Sequence, residues 1–187
     1  MKSIAVYCGS SLGASEVYKE QAIVLGKFLA HNHISLVYGG ASVGIMGTIA
    51  DAVLDAGGSV TGVIPTLLEQ REIAHTSLTT LIRVESMHER KKTMMELADG
   101  FIALPGGPGT LEEFFEVFTW NQIGLLQKPC GILNINGYYD KLIELFDHMV
   151  GEKFLQERSR NVFYVDDQYD RLIDKMHTFV PPAVKTY

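Results

Sequence analysis

A run of glycines, a carboxylate and an arginine are spaced in this chain so that they could hold a phosphate and cleave a bond beside it. The run is Pro105-Gly106-Gly107-Pro108-Gly109-Thr110-Leu111-Glu112-Glu113. Pro105 is expected to stop a strand, while Gly106 and Gly107 allow positive φ and a close backbone approach. Gly109 and Thr110 then open a helix. The first turn of a helix has unpaired N–H groups and a partial positive charge, so it binds phosphate. Thr110 adds a hydroxyl donor, and Glu113, about one turn further, would face a sugar attached to that phosphate. An ordinary cap followed by acidic residues would also suit the dipole, but the three glycines and one proline within Gly106–Thr110 exceed what a cap needs.

A second glycine wall is Tyr38-Gly39-Gly40-Ala41-Ser42-Val43-Gly44-Ile45-Met46-Gly47. It has no Gly-Lys-Ser/Thr of a Walker A loop. Nor does it match Gly-x-Gly-x-x-Gly with an acidic residue placed to hold a dinucleotide ribose, which argues against a nicotinamide-dependent oxidoreductase. A third group is Ser86-Met87-His88-Glu89-Arg90-Lys91-Lys92. Basic residues in the early turns of a helix oppose its dipole unless an anion compensates. Arg90 offers a planar fork that grips phosphate or carboxylate, whereas Glu89 and Lys92 suit a solvated face.

Gly9 and Ser10, after the first strand, add a third glycine-bearing turn. Glu72 lies in the polar connection Glu69–Ser77, where it could reach over a pocket or be an ordinary surface residue. Glu116 is three residues on from Glu113 and shares its face. Trp120 suits a core or subunit interface better than a base-stacking platform. The two cysteines, Cys8 and Cys130, and the six histidines show no metal-ligand spacing, so no metal is expected. The cysteines read as reduced, buried thiols.

The elements that must position these residues alternate. Strands are expected at Ile4–Cys8, Ser35–Tyr38, Ser59–Ile64, Leu81–Val84, Gly100–Leu104 and Cys130–Ile135, with an edge strand at Val162–Val165. Helices are expected at Glu16–Asn32, Gly44–Asp55, Met87–Ala98, Gly109–Gly124, Tyr138–Val150 and Gln168–Phe179. Such alternation predicts an α/β, Rossmann-like three-layer sandwich, its sheet mainly parallel with helices on both faces. Ligands of such sheets sit beyond the carboxyl ends of the strands, where the three glycine turns converge.

With 187 residues the chain suits one catalytic domain over 1–180 with a loose tail at 181–187. The formal net charge of -6 argues against binding a nucleic-acid polymer. No stretch approaches the length of a membrane span and no leader is apparent, so a cytoplasmic protein away from membranes is expected.

Together, Gly-Gly-Ala-Ser-Val-Gly-Ile-Met-Gly at 39–47, Met87-His88-Glu89-Arg90-Lys91 and Pro-Gly-Gly-x-Gly-Thr-x-x-Glu at 105–113 resemble the LONELY GUY family, the cytokinin riboside 5'-monophosphate phosphoribohydrolases. The resemblance runs from the first strand to about Val165. It implies cleavage of the N-glycosidic bond of a nucleoside 5'-monophosphate, giving a free adenine-type base and ribose 5-phosphate. By position it implies Arg90 and Glu113 as the catalytic pair. It implies Glu72, Lys91, Gly107–Glu113 and Thr119 as ligand contacts. It also implies no metal or cofactor, and a homodimer with its pocket near the subunit interface. Ala41, Ile45 and Pro108 depart from common residues of the family, and Pro108 removes one backbone donor from the phosphate loop. The family's older label, possible lysine decarboxylase, is not supported by a cofactor-anchoring lysine with a pyridinium partner. Outside catalysis, the same pocket would suit a nucleotide-binding carrier or sensor.

Overall fold

A computed structural model describes residues 1–69 and 74–181. The proposed tail residues 182–187 and Glu72 fall outside the described residues. The chain runs β1 (Ser3–Tyr7), α1 (Glu16–His31), β2 (Ser35–Tyr38), α2 (Gly44–Asp55), β3 (Val60–Pro65), α3 (Thr66–Glu69), β4 (Thr80–Val84) and α4 (Met87–Leu97). It continues with β5 (Gly100–Ala103), α5 (Pro108–Gln122), β6 (Cys130–Leu133), a 3-10 turn (Ile135–Gly137), α6 (Asp140–Gly151), α7 (Glu157–Arg160), β7 (Phe163–Asp166) and α8 (Tyr169–His177).

The strands form one sheet in the order β4-β3-β2-β1-β5-β6-β7, and its six pairings are all parallel. The expected architecture is thus present, and the sheet is fully rather than mainly parallel. Side chains of a strand point alternately to the two faces, which explains the two cores. On one face Ile4 and Val6 of β1 pack with Leu25 and Leu29 of α1, Ile49 and Val53 of α2, and Leu172 and Ile173 of α8. On the other, Ala5 and Tyr7 pack with Met94 of α4, Phe114 and Phe118 of α5, and Phe146 of α6. The α5 aromatics Phe114 and Phe118 wedge against Phe146 and Phe163 at centroid distances of 5.1–6.4 Å, which fixes the helix that carries Glu113.

The short helices α3 and α7 and the 3-10 turn escaped sequence reading; none is long enough to show periodicity. The third strand, expected to end at Ile64, extends one residue further to Pro65, its last paired residue, opposite Val84 of the edge strand β4. The order changes direction at β1, whose neighbours β2 and β5 lead away to opposite sides. At such a switch point the loops after the strands diverge and leave a crevice.

Candidate active site

The crevice is a cleft of about 250 Å³ beyond the ends of β1, β2 and β5. Its walls include Gly9 and Ser10 after β1, Gly39 after β2, Met87 and Arg90 of α4, and Gly107, Gly109, Thr110 and Glu113 at the start of α5. Nine residues chosen for their chemistry or their turns therefore meet in one place. Val6, Tyr7 and Cys8 floor the cleft, and Met46, Pro108 and Glu112 complete it.

Helix α5 starts at Pro108, with Gly107 as its cap residue. Proline suits the first helical position because its missing N–H would have no helical partner there. The first helical bond runs from Leu111 N–H to Gly107 C=O, 3.3 Å, so the N–H groups of Gly109 and Thr110 precede the ladder. Gly107 and Gly109 are exposed, and a Cβ on either would meet nothing within 4 Å. Gly106 differs: a Cβ there would collide with the Thr110 hydroxyl and stand 2.8 Å from Gly9 N. It lies behind the cleft wall, in a second cavity.

The reason expected for these glycines needs correcting. Neither Gly106 nor Gly107 has positive φ; Gly40 (φ 82) and Gly44 (φ 61) do. In the 105–113 loop Gly106 is needed for space; in the 39–47 wall Gly40 and Gly44 are needed for conformation, and Gly39 and Gly47 for space. Gly40 also faces away from the cleft, its C=O accepting the His75 N–H at 2.9 Å.

Arg90 is 5% exposed. Its Nε donates to Val63 C=O at 3.1 Å and one terminal nitrogen, Nη2, to Gly39 C=O at 2.9 Å. A carbonyl of β3 and one just after β2 thus hold the fork, and hydrogen bonding offsets part of the cost of burying its charge. Ser86 caps α4 by accepting the Glu89 N–H, and Glu89 accepts the Glu85 N–H, so Glu89 serves the helix start.

Lys91 is equally buried but does not line the cleft. Its Nζ lies 2.7 Å from Glu112 Oε1 and 3.1 Å from Glu116 Oε2, clipping α4 to α5. Burial works against the charged ammonium there, yet the two carboxylates outweigh it and raise the pKa. Thr119 is exposed on α5 and also stands outside the cleft. Of the residues assigned to the ligand, Gly40, Gly106, Lys91 and Thr119 are thus not part of the cleft surface of this chain.

The floor is electrostatically marked. Burial, then the Glu113 charge, pushes the Cys8 thiol far above its ordinary range. The same two causes raise the Tyr7 phenol. Cys8 is therefore a neutral thiol, not a nucleophile. Among the described residues no group of three or more His, Cys, Asp or Glu side chains could hold a metal ion. No described helix is long and apolar enough to cross a membrane.

Two braces were missed by sequence reading. Tyr138 donates its hydroxyl to Gly106 C=O and Tyr139 to Leu104 C=O, both at 2.7 Å. The adjacent tyrosines after β6 were the available signal.

The profile of a family described as "Possible lysine decarboxylase" matches residues 46–176. Cytokinin riboside 5'-monophosphate phosphoribohydrolase LOG1 of Arabidopsis thaliana is 45% identical over 180 residues, 96% of this chain and 84% of that protein. The enzyme LOG of Oryza sativa subsp. japonica is 44% identical over 96% of this chain and 74% of its own. Among solved structures, the molybdenum cofactor binding protein of Rippkaea orientalis shares the fold, with a TM-score of 0.71, 21% identity, and coverage of 94% of this chain and 95% of that one. A Moco carrier protein of Chlamydomonas rheinhardtii does so with a TM-score of 0.68, 18% identity, and coverage of 94% and 96%. The fold is therefore shared with carriers, while close sequence similarity over nearly the whole chain is to the phosphoribohydrolases: this chain belongs to the LONELY GUY family of cytokinin riboside 5'-monophosphate phosphoribohydrolases.

Proposed function

We propose that this chain hydrolyses the N-glycosidic bond of nucleoside 5'-monophosphates such as AMP or N6-prenylated AMP, releasing the base and ribose 5-phosphate. The observation that carries this reading is the placement of Glu113 and the fixed Arg90 fork in the same cleft as the open amides of α5. The 5'-phosphate takes the N–H groups of Gly109 and Thr110, with the dipole behind them. That contact fixes the ribose near Glu113, one helical turn below, and converts a diffusional encounter into an oriented one.

Cleavage breaks the bond from C1' to the base nitrogen. The pair of electrons leaves with the base, which gains a proton, and the sugar passes through an oxocarbenium-like state. Glu113 stabilises that positive charge and takes a proton from the water whose oxygen attacks C1'. Arg90 meets the anionic ligand from the opposite wall. Neither role calls for a metal or cofactor. In the full reading the protein is cytoplasmic and works as a homodimer; the exposed Ile123 and Leu125 beyond the end of α5 support a subunit contact, which sedimentation would test.

The test incubates the purified chain with AMP and with isopentenyladenosine monophosphate and measures released base and ribose 5-phosphate. Glu113→Gln is expected to lose about 100- to 1000-fold in turnover, while ribose 5-phosphate still binds. Wild-type turnover by that variant would remove Glu113 from the chemistry. Tight binding by the unmodified chain without release would make it a carrier.

A further inference from the structure

The phosphate loop carries Pro108 at the first helical position, where there is no N–H to give. A donor that precedes the helix therefore matters more, and the nearest is Gly107 N–H. Its direction is set by a neighbour. In a trans peptide the C=O of one residue and the N–H of the next point opposite ways across a rigid plane. None of the described peptide bonds is cis. The Gly106 C=O is taken at 2.7 Å by the hydroxyl of Tyr138.

Tyr138 and Gly106 line the second cavity, with Gly13, Tyr18 and Ile45, while neither lines the catalytic cleft. Gly107 lines both cavities, so it stands at the wall between them. With its carbonyl held on the Tyr138 side, the Gly106–Gly107 peptide must turn its N–H to the other side, into the cleft. Gly107 is exposed and carries no side chain to cover that amide. Tyr138 itself is held in place: its ring packs edge-on against Tyr18 at 5.8 Å and Tyr139 at 4.9 Å between centroids.

We infer that Tyr138 is a positioning residue that locks the Gly106–Gly107 peptide so that Gly107 N–H serves as a phosphate donor. It never touches the substrate. Its hydroxyl sits behind the loop and acts through one peptide plane. The inference rests on the phosphate-cradle reading proposed above. A glycine pair has little torsional preference of its own, so without a clamp that peptide is free to flip. The clamp removes that freedom before the ligand arrives, which is where preorganisation lowers the cost of binding.

Tyr139 supplies a matched control. Its hydroxyl donates to Leu104 C=O at the same 2.7 Å, but the peptide behind that carbonyl ends in Pro105, which has no N–H to aim. Two neighbouring tyrosines thus make the same bond, and only one of them can orient a donor.

The experiment compares Tyr138→Phe and Tyr139→Phe with the unmodified chain. It uses AMP, adenosine without phosphate, and ribose 5-phosphate as a binding probe read by calorimetry. Tyr138→Phe keeps the ring and its packing. It is expected to raise KM for AMP and weaken ribose 5-phosphate binding by roughly 10-fold, the scale of one hydrogen bond to a charged group. Its rate on adenosine should stay within 2-fold or so of the unmodified chain, since adenosine brings no phosphate for Gly107 N–H to hold, and its kcat on AMP should change less than KM, because the N–H groups of Gly109 and Thr110 still anchor the phosphate. Tyr139→Phe should lower the melting temperature and leave KM unchanged.

The amide resonance of Gly107 gives a direct reading, because it should shift on adding ribose 5-phosphate and shift less in Tyr138→Phe. Equal losses on AMP and adenosine, an unchanged KM in Tyr138→Phe, or the same KM rise in Tyr139→Phe would each overturn the inference. If the unmodified chain releases no base at all, the hydrolase reading fails alone; calorimetry and the Gly107 resonance still decide whether Tyr138 aims a phosphate donor.

Discussion

Replacing Gly39 with alanine should disable the site while leaving the fold nearly intact. An added methyl at Gly39 would overlap Nη2 of Arg90, and it would stand 3.2 Å from the guanidinium carbon and 3.0 Å from the Met46 sulfur. Comfortable carbon contacts lie near 3.5–4.0 Å, so the fork must move by about 1 Å. That motion pulls it from Gly39 C=O, now at 2.9 Å, and from Val63 C=O, at 3.1 Å. Stability should suffer little, because the atoms that give way are the ends of two long side chains. Overpacking costs about 1–3 kcal/mol, and the low end applies here, equivalent to a melting shift of about 2–4 °C at this chain length. Activity should suffer far more, since a displacement near 1 Å costs about 100-fold.

The assay is kcat/KM for base release by Gly39→Ala, Arg90→Lys and the double variant. Arg90→Lys takes away the terminal nitrogen that the methyl would strike, so the double variant should be no worse than Arg90→Lys alone. Multiplicative losses would mean that the methyl acts on something other than Arg90, and the reasoning would be refuted. So would a Gly39→Ala enzyme within a few-fold of normal.

Two other substitutions separate scaffold from site. Lys91→Met should leave kcat/KM within about 10-fold, because Lys91 clips helices and lies outside the cleft; its melting point should drop by about 2–4 °C per lost kcal/mol, and a fall in kcat/KM beyond 100-fold would place Lys91 on the substrate instead. Asp166→Asn tests the end of β7, where burial pushes the carboxyl pKa up but hydrogen bonds from Lys175, Arg171 and the Gln168 N–H outweigh it and hold it well below the usual carboxylate range. A depressed folded-state pKa contributes stability that is present above the unfolded pKa and lost as pH falls through the folded one. The melting gap between Asp166→Asn and the unmodified chain should therefore be full at pH 7 and close in strong acid; a gap that widened on acidification would contradict that sign.

The parts of the fold legible in the sequence are those with long periodic signals. β2 and α2 begin and end where their residues predict, and Gly44–Asp55 carries its apolar stripe from Ile45 to Val53. The cleft was legible because the glycine turns follow strands, and parallel strands bring their ends to one side. What was not legible is which way each side chain turns. Arg90 and Lys91 are adjacent in sequence, yet successive helical residues diverge by about 100°, so one faces the cleft and the other the α5 carboxylates. Nor does a glycine announce whether it is needed for conformation or for space, as Gly40 and Gly106 illustrate from opposite sides. Tyr138 is marked in the sequence only by its neighbour Tyr139, and the fold brings it behind Gly106.

The central place of β1 has a consequence for how the protein is made. Its partner β2 follows within about thirty residues, but its other partner, β5, begins at Gly100. The backbone amides of Lys2 and Ser3 find the Asp99 carboxylate only then. On a ribosome adding about 5–20 residues per second, the first strand waits several seconds with one edge unpaired. Arg90 is synthesised before that edge is covered and Glu113 after it. A nascent chain therefore holds both walls of its cleft only once the second half of the sheet has docked, and a break at Asp99 would divide the protein into two halves, each inactive until they reassociate.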